Sequence, residues 1–165
     1  PPSPTVFLSK PGAANIDVRR FIEALTARVS EQGFDVAMIE PSIYATTGAV
    51  AEVRRVMSGC SGAVVVAVPD LEVRDGAWRR STPQSREVSA TGLTTPWTSL
   101  ELGLAVGLGL PILLTIADGV DAGLFDYGGR EPNVYCVGLT DHHLSRSFRE
   151  PFDDWCGSVR ERARV

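Results

Sequence analysis

The stretch GAVVVAV, Gly62 to Val68, decides the fold. An uninterrupted run of small and β-branched residues without polar alternation is the pattern of a strand buried on both faces. Strands covered on both sides belong to parallel sheets, whose crossovers lay helices over each face. Working outward, TVFL at Thr5 to Leu8 has the same character and ends in the turn-like SKPGAAN. DVAMIE at Asp35 to Glu40, PILLTI at Pro111 to Ile116 and NVYCVGL at Asn133 to Leu139 supply three more apolar runs.

Helical signals separate these runs. After SKPGAAN, Asn15 or Asp17 can cap a helix along which Val18, Phe21, Ile22, Leu25 and Val29 recur at helical spacing, and Gly33 suits its stop. PSIYATTG reads as a loop. Val50, Val53 and Met57 then outline a second amphipathic helix ending near Gly59, and a last helix carries Phe152, Trp155 and Val159 on one face. Arg160, Arg162 and Arg164 stand near its negative end. ADGVDAGLFDYGGREP, after the fourth strand, holds at most one helical turn. Five alternations predict an α/β fold: a single doubly wound, flavodoxin-like five-stranded parallel sheet of order 2-1-3-4-5 with helices on both faces. The whole chain, 1–165, reads as one domain, interrupted by a long polar loop at about 69–96.

In such sheets ligands bind at the carboxyl ends of the strands, near the point where strand order reverses. That rule gathers three places: the SKPG loop after the first strand, Asp70 after the third, and the start of the helix in TTPWTSLELGLAVGLGLPILLT, Thr94 to Thr115. Glu101 is the one carboxylate of that last stretch. Thr98 and Glu101 form T-x-x-E, a capping box if the helix starts there. If Thr95 caps and Pro96 is the first helical residue, Glu101 instead lies a turn and a half in and points toward the strand ends. The sequence leaves both starts open. Gly103 and Gly107 expose a smooth helix face that permits close approach to the sheet or to a second subunit.

Composition narrows the function classes. With 16 basic and 20 acidic residues the net charge is −4, without the electropositive excess of a nucleic-acid binder. The three cysteines are widely spaced and form no CxxC pair, which argues against a disulfide framework or a zinc site and fits a reducing, cytoplasmic setting. His142 and His143 stand in a polar turn without matching ligands, so no metal or other cofactor is expected. PPSPTVFLSK lacks a signal-peptide pattern, and no run reaches the roughly 18 apolar residues of a membrane span. A soluble protein with no membrane partner is the expectation, and the missing initiator Met suggests a trimmed chain. SKPGAAN matches neither the P-loop nor GxGxxG, although its amides could meet a phosphate or a ribose. Arg74, Arg79, Arg80 and Arg86 crowd the long loop and could clamp phosphates. Trp78 and Trp97 flank that loop, where either could stack on a base.

Taken in order, VFLSKPG, AVVVAVPD and PWTSLELGLAVGLGLPILL resemble the nucleoside 2-deoxyribosyltransferase and nucleotide N-glycosidase superfamily. The outline also resembles bacterial TIR-like domains. The resemblance implies cleavage or transfer at the N-glycosidic bond of a nucleoside, nucleotide or NAD-like substrate, with Glu101 as nucleophile or transition-state stabiliser. Asp70 would lie near the sugar hydroxyls, Ser9, Lys10 and Gly12 on phosphate or ribose, and Trp97 beside the base. Ser99 and Arg80 complete the expected substrate contacts. The deoxyribosyltransferase likeness also implies a homo-oligomer. Leu104 stands where that family often has tyrosine, and Ser9 and Lys10 where it has small apolar residues. These departures leave an alternative, a nucleotide-binding or TIR-like signalling and assembly module without turnover.

Overall fold

A computed structural model describes residues 2–40, 42, 48–120, 133–139 and 145–165. Along the chain these form β1 (Thr5–Ser9), α1 (Ile16–Glu31), β2 (Asp35–Ala37), α2 (Ala49–Ser58), β3 (Gly62–Ala67), β4 (Leu71–Trp78), β5 (Arg86–Leu93), α3 (Pro96–Gly107), β6 (Ile112–Ile116), β7 (Val134–Gly138) and α4 (Arg146–Arg162). Five strands make a parallel sheet in the order β2-β1-β3-β6-β7, which is the expected 2-1-3-4-5 once the two intervening strands are set aside. The flavodoxin-like, doubly wound arrangement read from the sequence is the observed one. PSIYATTG, most of ADGVDAGLFDYGGREP and the His142–His143 turn lie wholly or mainly outside the described residues.

The two-residue period of the strands sorts the core into two layers. Val6 and Leu8 of β1, Val64 and Val66 of β3, and Leu113 of β6 face α1 and α4, meeting Val18, Leu25, Val29, Phe152 and Trp155. Phe7, Ala63, Val65, Ala67, Ile112 and Leu114 face the other way, against Val53 and Met57 of α2 and Leu102 and Ala105 of α3. Every residue of β3 is buried, so both layers share this strand. At about 1.5–3 kcal/mol per buried aliphatic side chain, β3 stabilises the domain from both faces at once. Its first residue has no room for a side chain. A Cβ on Gly62 would come within 2.6 Å of Val159 Cγ2 and 3.3 Å of the Pro111 carbonyl.

Trp155 is the largest buried side chain of the first layer. It is fully enclosed, its indole N–H donates to the Pro111 carbonyl at 3.1 Å, and Phe34 meets it edge-on at 5.8 Å. Arg160 and Arg162 stand in the last turn of α4, as expected, but bond to the ends of other helices. Arg162 donates to the carbonyls of Leu108 and Gly109 at 2.9 Å each, satisfying groups that α3 leaves open at its end. Arg160 reaches Gln32, the C-cap of α1.

Three expectations change. The span 69–96, expected as a long irregular loop, contains the antiparallel pair β4–β5, a separate two-stranded ribbon. Its strands are largely exposed, with Leu71 at 58% and Trp78 at 41%, so the short alternations LEVR and EVSAT cover little core and do not stand out as strands. Backbone pairing, not burial, makes these strands. Second, DVAMIE is a strand only to Ala37, and Met38 to Glu40 leave the sheet. Third, Gly103 and Gly107 do not approach the sheet. A Cβ at either would meet nothing within 4 Å, because Leu102 and Ala105 are the residues of α3 that face inward.

Cys60 and Cys156 are free, buried thiols. Burial pushes Cys60 up to about 11 and Cys156 up to about 12, from an ordinary value of 9.0. Both should resist Ellman's reagent at pH 8 in the native protein and react once it is unfolded. A raised folded-state value means this contribution to stability is complete below pH 9 and is lost as pH rises through about 11 and 12. Melting temperatures followed from pH 8 to 11.5 should therefore fall on the alkaline side, less so in a Cys156→Ala protein relative to its own value at pH 8.

Candidate active site

The start of α3 resolves the two readings of Glu101. Thr95 is the N-cap, its hydroxyl accepting from the Thr98 N–H at 3.1 Å, and Pro96 is the first helical residue. Proline fits there because its missing N–H would have no intrahelical partner. Glu101 therefore lies in the second turn and is not the capping-box glutamate. Thr98, Glu101, Leu102 and Ala105 form the buried stripe of α3, at the three- and four-residue spacing that keeps side chains on one face.

That stripe meets β1 at its carboxyl end. Since Val6 and Leu8 face α1, the alternation turns Phe7 and Ser9 toward the α2–α3 layer. Ser9 and Glu101 are 1% and 2% exposed, and the Ser9 hydroxyl donates a short hydrogen bond to the Glu101 Oε2. The hydroxyl supplies a hydrogen-bond donor to this oxygen in a place where solvent cannot. At its second-turn position the helix dipole adds little, because that field fades beyond the first turn.

Glu101 lines a cavity of about 460 Å³, within the range of small-molecule sites. The loop after β1 contributes Lys10, Pro11, Gly12 and Ala13; the segment after β2 contributes Met38, Ile39 and Glu40; Asp70 follows β3. Thr95, Trp97 and Thr98 from the start of α3 close it, with Leu8 below. This is the strand-end crevice that the sheet order predicts, with β1 and β3 adjacent at the reversal. Asp70 is exposed, and its backbone N–H donates to the Leu93 carbonyl at 2.8 Å, so it stands at the base of the β4–β5 ribbon.

Of the residues expected at the site, Lys10, Gly12, Asp70, Trp97 and Glu101 line this cavity, and Ser9 touches it through Glu101. Ser99 and Arg80 do not line it. Ser99 is turned roughly 100° around α3 from Thr98. Arg80 lies beyond the far end of β4, a strand whose eight residues put it about 25 Å from Asp70 if the ribbon is extended. Sequence reading missed Met38, Ile39 and Glu40, having assigned them to a strand. Composition gave no signal, since Met38 and Ile39 continue the apolar run and only Glu40 is polar.

No protein-family model matches the chain. No curated protein sequence matches it either. Among solved structures it is similar to a CMP N-glycosidase, BcmB, from Clostridium botulinum. The two share 19% identity at a TM-score of 0.51, over 83% of this chain and 90% of that one. A diflavin flavoprotein A3 from Nostoc sp. aligns over 98% of this chain and 94% of its own at 11% identity, with a TM-score of 0.48. The N-glycosidase likeness establishes a shared fold.

Proposed function

We infer that this protein cleaves or transfers at the N-glycosidic bond of a nucleoside, nucleotide or NAD-like substrate. The observation that carries the reading is Glu101: a buried carboxylate, held by the Ser9 hydroxyl, on the wall of a strand-end cavity. The fold shared with an enzyme described as a CMP N-glycosidase supports the same class. In this reading the Glu101 carboxylate attacks the anomeric carbon as the C–N bond breaks, and the base leaves with that bond's electron pair and takes up a proton. Water, or the nitrogen of a second base, then attacks the same carbon. The ester bond breaks, Glu101 returns as carboxylate, and the attacking group loses its proton. Positive charge develops on the sugar in both steps, which an anion beside it stabilises. Asp70 holds sugar hydroxyls at the rim, and Trp97 offers its ring to the base.

Incubation with a panel of nucleosides, nucleotides and NAD, with free base followed by chromatography, tests the reading. Ser9 acts here as a positioning residue. Ser9→Ala should lower kcat about tenfold with a smaller change in KM, while Ser9→Thr, which keeps a hydroxyl, should recover part of the loss. The 2% exposure of Glu101 favours a second reading, a binding module without turnover. Nucleotide binding by calorimetry with no base released would select it.

A further inference from the structure

The start of α3 holds a hydroxyl proton without an acceptor. Thr95 caps the helix through its hydroxyl oxygen, which accepts from the Thr98 N–H, and the same oxygen stands 2.9 Å from the Thr98 hydroxyl. Either hydroxyl can donate in that contact, but the two share one bond and carry two protons. If Thr98 donates, the Thr95 proton has no acceptor among the described residues; if Thr95 donates, the Thr98 proton has none. The cap needs only the Thr95 oxygen and a backbone N–H, so it does not account for a hydroxyl at position 98. Other helical hydroxyls spend their proton on the carbonyl four residues back, as Thr26 does on Ile22 and Ser58 on Arg54. Thr98 does not, although it is only 5% exposed and an unsatisfied group is costly there. Both threonines line the cavity that holds Glu101.

We propose that the Thr95–Thr98 pair is a ligand contact that holds the 2′-hydroxyl of the sugar, so that a ribosyl group is taken in preference to its 2′-deoxy counterpart. Because the pair can reverse its own hydrogen bond, it offers a ligand both a proton and an open oxygen, and the group that answers both is an alcohol. The choice of the 2′-hydroxyl rests on the N-glycosidic reading above. Thr98 and Glu101 lie three residues apart on one face of α3, a spacing that puts Cβ atoms about 5–6 Å apart. With the Glu101 carboxylate against the anomeric carbon, the pair stands within reach of the ring atoms on either side of that carbon. One of these is the ring oxygen, which only accepts; the other carries the 2′-hydroxyl, which donates and accepts. A 2′-deoxy sugar presents a methylene there and leaves the threonine proton unpaired.

The test compares cytidine and adenosine with their 2′-deoxy counterparts on the intact protein, each as nucleoside and as 5′-monophosphate. Calorimetry gives affinity, and chromatography of the free base gives kcat and KM. In at least one matched pair the ribosyl member should bind about tenfold or more tightly. Thr98→Val, which has nearly the same shape without the hydroxyl, should narrow that ratio about fivefold, and Thr98→Ser should restore most of it. Melting curves show whether both variants fold, and the ratio of the parent protein stands without either. A residue that only braces the helix would change stability and leave the ratio where it was. Equal or tighter binding of the 2′-deoxy member in every pair overturns the proposal, as does a ratio that Thr98→Val does not move. Ribosyl preference without base release supports the proposal and removes the catalytic reading. Base release without that preference does the reverse, and no binding of any of the compounds overturns both.

Discussion

Glu101→Gln is expected to lower base release by about 1,000-fold or more while leaving the fold intact. Glutamine has nearly the shape of glutamate and offers Ser9 a carbonyl oxygen in place of Oε2, so the buried hydrogen bond survives. What disappears is the charge and the nucleophilic lone pair that the C–N cleavage needs. Melting curves close to those of the parent protein, with activity gone, would identify a chemical role. Glu101→Ala extends the test. The space it opens should admit formate or azide, and partial rescue by either would mark a nucleophile, whereas a group that only braces α3 gives none. Release by Glu101→Gln equal to that of the parent overturns the assignment.

The largest loss of stability is expected at Trp155. Truncation to alanine removes the biggest fully enclosed side chain of the α1–α4 layer and its packing against Phe34 and Phe152. It also leaves the Pro111 carbonyl without the indole N–H. Cavity formation at such a site costs about 3–5 kcal/mol; the Pro111 carbonyl keeps the Ala63 N–H at 2.9 Å, so the lost indole bond adds little to that. Against a total of about 5–15 kcal/mol this is a large fraction, and the melting temperature should fall by about 10 °C or more. Trp155→Phe keeps much of the apolar area and loses only the donor, so it should lose less than half as much. Differential scanning calorimetry separates the two. A shift of under 3 °C for the alanine variant would show that the layer can close over the gap.

Much of the fold is legible because burial leaves a pattern. A strand enclosed on both faces must be apolar throughout, which makes β3 readable directly, and helices that cover such a strand must repeat at 3.6 residues. The β4–β5 ribbon is invisible for the converse reason. Its cohesion lies in backbone hydrogen bonds that any side chain permits, and LEVRDGAW and REVSATGL are free to look like loop. At the site, the gathering of Lys10, Asp70 and Glu101 follows from sheet order alone. The direction of Glu101 does not, because T-x-x-E and T-P-W-T are both sound helix starts. Only the proline in the first helical position, with Thr95 capping Thr98, distinguishes them. Met38 to Glu40 were hidden by a boundary, since β2 stops three residues earlier than its apolar run suggests.

The ribbon also departs and returns at a single point, where the Asp70 N–H meets the Leu93 carbonyl, and Gly92 is pinned beside it by the Gly119 carbonyl at 2.7 Å. Residues 71–93 thus form a cassette spliced between two sheet strands, with both cut ends already side by side. Asp70 and Thr95, which stand on either side of the splice, belong to the cavity wall. A lineage could lengthen, shorten or exchange this cassette without disturbing the register of the parallel strands. Among the described lining residues none comes from 71–93, so such an exchange would leave the walls of the crevice standing.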